Sequence, residues 1–164
     1  MLTMDIKDIF SLLVENVLSK TPKEFINYCE KSGMIKKDPI SDIGQYSQLP
    51  PYDSRYCYEF ASPKAVSVIF EIFVVSDKIM QAGVNLYYKN NLLSHAAENK
   101  FKEAKLLLND YFGLGIPLKA KNTIGYNYGN NRLLGYVSLI KNDNVNIKIG
   151  NAEIWNSYYP INKN

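Results

Sequence analysis

Cysteine is scarce in this chain of 164 residues, with Cys29 and Cys57 the only two. They are too few for a disulfide framework and lack the close spacing of a metal clip, so they read as free thiols in a reducing compartment. Histidine occurs once, at His95, which speaks against a histidine-rich metal centre, and no metal or cofactor is expected. Arginine occurs only at Arg55 and Arg132, and the lysines are scattered. The net charge of +3 therefore does not describe the clustered basic face that nucleic acid selects. Long apolar runs are missing too. VSVIFEIFVV at 66–75 is only strand length, short of the roughly 18 residues that a membrane span needs. At the N-terminus Asp5, Lys7, Asp8 and Glu15 interrupt the apolar positions, so a secretory leader is not expected and the chain reads as soluble and cytoplasmic.

What is present is an ordinary globular composition, 46% hydrophobic and 21% charged. A chain of this length buries roughly two thirds of its unfolded surface, enough for a single domain over 1–164 without staples. Ile6, Ile9, Phe10, Leu13, Val14, Val17 and Leu18 recur at helical spacing and predict a helix over about 5–19, with Asp5 as its cap. Thr21, Pro22 and Glu24 then form a capping-box start for a second helix, which should stop at Gly33. Together these two make a helical hairpin. From Lys36 to Ser54 the periodicity is lost, and a loop is expected to pack through Ile40, Ile43, Tyr46 and Leu49. Strands follow at Tyr56–Ala61, Val66–Val75 and Gly83–Tyr88, then a helix from Ser94 to Gly113. Further strands are read at Thr123–Tyr128, Leu133–Lys141, Val145–Ile149 and Ala152–Trp155, between turns rich in asparagine and glycine. This order predicts an α+β fold, an N-terminal helical hairpin and one further helix packed on a mainly antiparallel sheet.

Alternation places Val66, Val68, Phe70, Ile72 and Val74 on the core face of the second strand and Glu71 on the other, with Ser67, Ile69, Phe73 and Val75. That second face is too apolar for open solvent and reads as a pocket wall or partner surface. Glu59 can share it if the strands pair in suitable register. Such paired carboxylates can move protons, but a mid-strand glutamate is more often paired with a cation, here Arg55 or Lys148. His95, at a helix start, and the two cysteines form no nucleophile motif. Gly113-Leu114-Gly115 follows a helix and lacks a third glycine, and YNYGNN at 126–131 is a hairpin turn, so neither cradles a phosphate. No catalytic residue is assigned. Tyrosine is the enriched aromatic, 13 against one Trp, which suits a recognition surface. The expected partner-binding residues are Glu59, Glu71, Tyr56, Tyr58, Tyr87, Tyr126 and Tyr128.

A chain rich in Lys, Asn and Tyr, opening with DIKDIFSLLVENVLS and TPKEFINYCEKSG before a meander, resembles the immunity proteins of bacterial contact-dependent or polymorphic toxin systems. That resemblance implies a cytoplasmic inhibitor that binds a cognate protein toxin, with no nucleic acid or membrane among its partners. The pI near 8.7 departs from the acidic character of an inhibitor that mimics nucleic acid. The order of helices and strands is also similar to nuclear-transport-factor-like folds, which implies a small-ligand protein or enzyme with a cone-shaped pocket between helices and a curved sheet. A pocket lined by Glu71, tyrosines and His95 would favour the second reading, and a filled core with exposed tyrosines and acidic residues the first.

Overall fold

In the computed structural model of the chain, residues 5–38, 49–60, 66–88 and 94–159 are described. The N-terminal signals act as the residues dictate. Helix α1 spans Ile6–Ser19, with the Asp5 side chain accepting from the Asp8 N–H. Helix α2 spans Pro22–Lys31; Thr21 accepts from the Glu24 N–H, and the Glu24 carboxylate accepts from the Thr21 N–H. Gly33, at a φ of 75°, ends that segment in the left-handed region where a side chain would be strained.

Among the described residues eight strands form one antiparallel sheet: β1 (Ile35–Lys37), β2 (Ser54–Phe60), β3 (Val66–Val75), β4 (Lys78–Tyr88), β5 (Ile116–Ala120), β6 (Thr123–Gly129), β7 (Leu133–Ile140) and β8 (Asn144–Asn151). Their spatial order is β1-β2-β3-β4-β8-β7-β6-β5. The fold is thus two four-strand meanders joined along β4 and β8. Helix α3 (Ser94–Phe112) carries the chain from the central β4 to the far edge, where β5 begins. Gly113 ends α3 at a φ of 89°. The tight β3–β4 hairpin turns on Ser76 and Asp77, both at positive φ, as a two-residue connection matched to strand twist requires.

One face of the sheet carries the core. Helices α1 and α3 cover β4, β7 and β8, burying Ile6, Ile9, Leu13, Ala97, Ala104 and Leu108 against Phe70, Val84, Val137, Ile147 and their neighbours. Phe25 of α2 packs edge-on against Tyr58, ring centroids 6.4 Å apart. Tyr111 is more exposed than the other residues of its expected face, yet its ring still meets Phe10 edge-on at 5.5 Å.

Several expected elements shift. Ala152–Trp155 is not a strand but the start of helix α4 (Ala152–Tyr158), because the Asn151 side chain accepts from the Ile154 N–H and caps it. Strand β4 starts five residues before the expected Gly83, and β1 and β5 form where no strand was expected. Ser94 is the first residue of α3. Of the loop expected to pack through Ile40, Ile43, Tyr46 and Leu49, the first three lie outside the described residues. Leu49 is half-buried and Pro50 is buried.

Candidate functional site

The strand register decides which side chains meet on the face turned away from the helices. Cys57 pairs with Glu71, Glu71 with Gly83, and Gly83 with Lys148; the same row continues through Tyr136 and Asn127 to Ile116. A second row passes through Glu59, Ile69, Asn85, Asn146, Ser138, Gly125 and Leu118. Glu59 and Glu71 therefore share a face, as the alternation allows.

Glu71 is engaged within the chain. Its Oε2 accepts from Arg55 Nε at 2.8 Å and also from Arg55 Nη2, and the Cys57 thiol lies 3.3 Å away. The guanidinium stacks over the Phe73 ring, 5.1 Å from its centroid. This is the internal pairing expected of a mid-strand carboxylate, with both side chains only 10% and 16% exposed. Burial pushes the Cys57 thiol up to about 12, and the neighbouring Glu71 charge adds to the shift. Cys29 is likewise pushed up to about 12, first by burial and then by Glu30. Neither thiol is a nucleophile at neutral pH, since the reactive form is the thiolate. Glu59 accepts from the Ser67 hydroxyl at 2.7 Å and pairs with Lys37 at 3.2 Å.

The seven residues expected at a partner surface divide between the two faces. Glu59, Glu71 and Tyr87 stand on the helix-free side, where Tyr87 is 43% exposed. Tyr56, Tyr58, Tyr126 and Tyr128 point toward the helices: Tyr58 and Tyr128 are buried, and Tyr56 and Tyr126 pack against the core. The Tyr128 hydroxyl donates to Asn109 Oδ1 at 2.8 Å, while Tyr126 stacks on Phe101 and receives the Lys105 ammonium 4.2 Å from its centroid. His95 is exposed on α3.

Buried side chains of the helices and the sheet pack together in one core cluster, and a cavity of about 610 Å³ opens on the opposite face over β4 to β8. Gln81, Asn127, Tyr136, Asn146, Lys148 and Trp155 are its polar lining, and Leu118, Leu134 and Ile140 are apolar walls. Neither Glu71 nor His95 is among the described lining residues. The Lys148 ammonium lies 5.0 Å from the Tyr136 ring centroid. Among the described residues, three buried polar atoms on this side have no hydrogen-bond partner: Asn85 Oδ1, Ser138 Oγ and Trp155 Nε1. Each such atom costs about 1–3 kcal/mol when left unsatisfied. Gly150 lets the indole approach, because a Cβ there would lie 2.9 Å from Trp155 Nε1.

The sequence carries a trace of this face. Asn144, Asn146, Lys148 and Gly150 alternate with Val145, Ile147 and Ile149, and Tyr136 and Ser138 alternate with Val137 and Leu139. That pattern says polar side, but it does not separate a wet surface from a walled cavity. No protein-family model, no curated protein and no solved structure matches this chain.

Proposed function

We propose that this protein is a toxin-neutralising immunity protein, a binder that blocks a cognate toxin domain. The observation that carries the reading is the far edge of the sheet. Leu114 and Ile116, entering the outermost strand β5, are 92% and 71% exposed, an unusual placement for large apolar side chains. An open edge invites another chain, and Pro117, which has no N–H, limits continuous pairing there. Apolar side chains beside an interrupted edge suit a partner chosen by shape more than self-association. Glu59 on β2 and Tyr87 on the central β4, both on the helix-free face, offer the mixed polar and aromatic character common at interface rims.

The reading is tested with a candidate toxin domain drawn from the genes that neighbour this one in its native genome. Co-expression should restore growth, and the two purified proteins should form a stoichiometric complex. Replacing Ile116 with lysine should weaken that complex at least about tenfold, equivalent to about 1.4 kcal/mol, with the melting temperature unchanged. A toxin domain that neither binds this protein nor is neutralised by it would sink the proposal.

A further inference from the structure

We propose that the cavity on the helix-free face receives a short, extended, apolar segment of the partner protein, held through its backbone amides. The inference rests on the binder reading for the source of that segment. Two side chains carry it. Gln81 and Asn146 line the cavity and are only 6% and 2% exposed. The Gln81 carboxamide has no hydrogen-bond partner among the described residues, while Asn146 Nδ2 donates to Asn144 Oδ1 at 3.4 Å and leaves the Asn146 carbonyl open. Gln81 asks for a donor and an acceptor, Asn146 for a donor. Buried groups of this kind are costly unless something in the cavity answers them.

Their separation selects the occupant. Gln81 pairs with Gly150 across the β4–β8 seam, and β8 runs about 13 Å from Gly150 to Asn146. A single ring or other compact ligand answers one of these positions and leaves the other bare. Around them the walls include Leu118, Leu134, Ile140 and the Tyr136 ring. A polyol long enough to join the two ends brings hydroxyls along its whole length, and apolar walls leave most of them unpaired. An extended peptide of about four residues spans that distance. It offers backbone N–H and C=O groups along its length and sets apolar side chains against the walls.

The position of the cavity agrees with that source. Leu118, one of its walls, follows Ile116 on the same face of β5. A protein docked against the exposed Leu114 and Ile116 therefore lies beside the cavity. The volume of about 610 Å³ falls within the roughly 300–1,000 Å³ of ligand-sized sites. The open groups are neutral carboxamides, which match an internal stretch of backbone, whereas a charged chain terminus brought there would lose its hydration.

The test titrates the full chain with N-acetylated, C-amidated tetrapeptides and hexapeptides of Leu, Val, Ala and Gly, and with the same peptides unblocked. Binding is followed by calorimetry and by emission of the sole tryptophan, Trp155, which lines the cavity. At least one blocked peptide should bind at about 1 mM or tighter and shift that emission. Gln81→Met and Asn146→Leu, which keep the volume and remove the open amide, should each weaken peptide binding about tenfold. Gln81→Met should keep or raise the melting temperature, because it removes an unsatisfied group. Both variants should also weaken the complex with a toxin domain that the wild type neutralises. The inference is overturned if no blocked peptide binds the folded wild type, if only unblocked peptides bind, or if both variants bind as tightly as wild type. It is equally overturned if a second copy fills the cavity, read by light scattering as a dimer that Gln81→Met abolishes. A toxin domain held equally by wild type and both variants overturns the inference and leaves the binder reading standing. Blocked peptides bound by a chain that no candidate toxin domain recognises sink the toxin reading and keep the peptide site.

Discussion

Glu71, expected at a partner surface, is engaged by contacts within the chain. Its carboxylate holds a guanidinium that is itself stacked on Phe73, in a place where both side chains are largely shielded from water. Glu71→Ala removes that carboxylate and should cost about 3–5 kcal/mol of stability, as breaking one side of a shielded pair does. Replacing the two together, as Glu71→Leu with Arg55→Met, should recover most of the loss. Urea unfolding of the single and double variants checks this; a single variant within about 0.5 kcal/mol of wild type would show the pair to be inconsequential. The cysteines give a second prediction. Both thiols titrate near 12 in the folded chain against an ordinary value of 9.0, so the native state holds protons that the unfolded chain has released. Their contribution to stability is complete below about pH 9 and declines as pH rises toward 12. Melting temperature should fall through that window, with a shallower fall in Cys29→Ala, and thiol reagents should react slowly at neutral pH.

At the scale of elements, termini and turns decide more than propensity does. The short helix α4 depends on Asn151, whose side chain accepts from the Ile154 N–H at 3.1 Å. Asn151→Ala should cost about 0.5–2 kcal/mol, the usual range for losing a helix cap. Because Trp155 sits on that helix and lines the cavity, its emission should shift toward that of a wetter indole. Unchanged emission and stability would mean that packing alone holds α4. The β7–β8 turn has the same local logic, with Lys141 and Asn142 at positive φ between two strands that pair directly. Asparagine tolerates that region because its short polar side chain bonds locally.

For the whole molecule the central feature is the seam between meanders, where β4 and β8 pair from Gln81–Gly150 to Tyr87–Asn144. Helix α1 lies over that seam, against β4, β8 and α3, so the N-terminal segment binds the two halves together. Amide exchange should therefore be slowest along β4 and β8 and fastest at the edge strands β1 and β5, since central strands open only when the domain does. Equal protection across all eight strands would contradict this. No helix among the described residues is long and apolar enough to cross a membrane.

The sequence by itself determined what depends on near neighbours. Asp5 and Thr21 cap the first two helices as residues three positions away allow, and the ten-residue span of β3 is where its apolar alternation places it. The antiparallel α+β class follows from such local signals in order. Only the tertiary structure decided which strands are neighbours, because α3 can return the chain to either edge and each choice satisfies the same periodicity. It alone divided the tyrosines, sending Tyr56, Tyr58, Tyr126 and Tyr128 beneath the helices and Tyr87 to the other side. Alternation states which residues share a face but not which face meets the core. The cavity is the furthest from local reading: Gln81 comes from β4, Asn127 from β6, Tyr136 from β7 and Trp155 from α4. Their meeting rests on pairings between distant segments, and spacing along the chain holds no record of it.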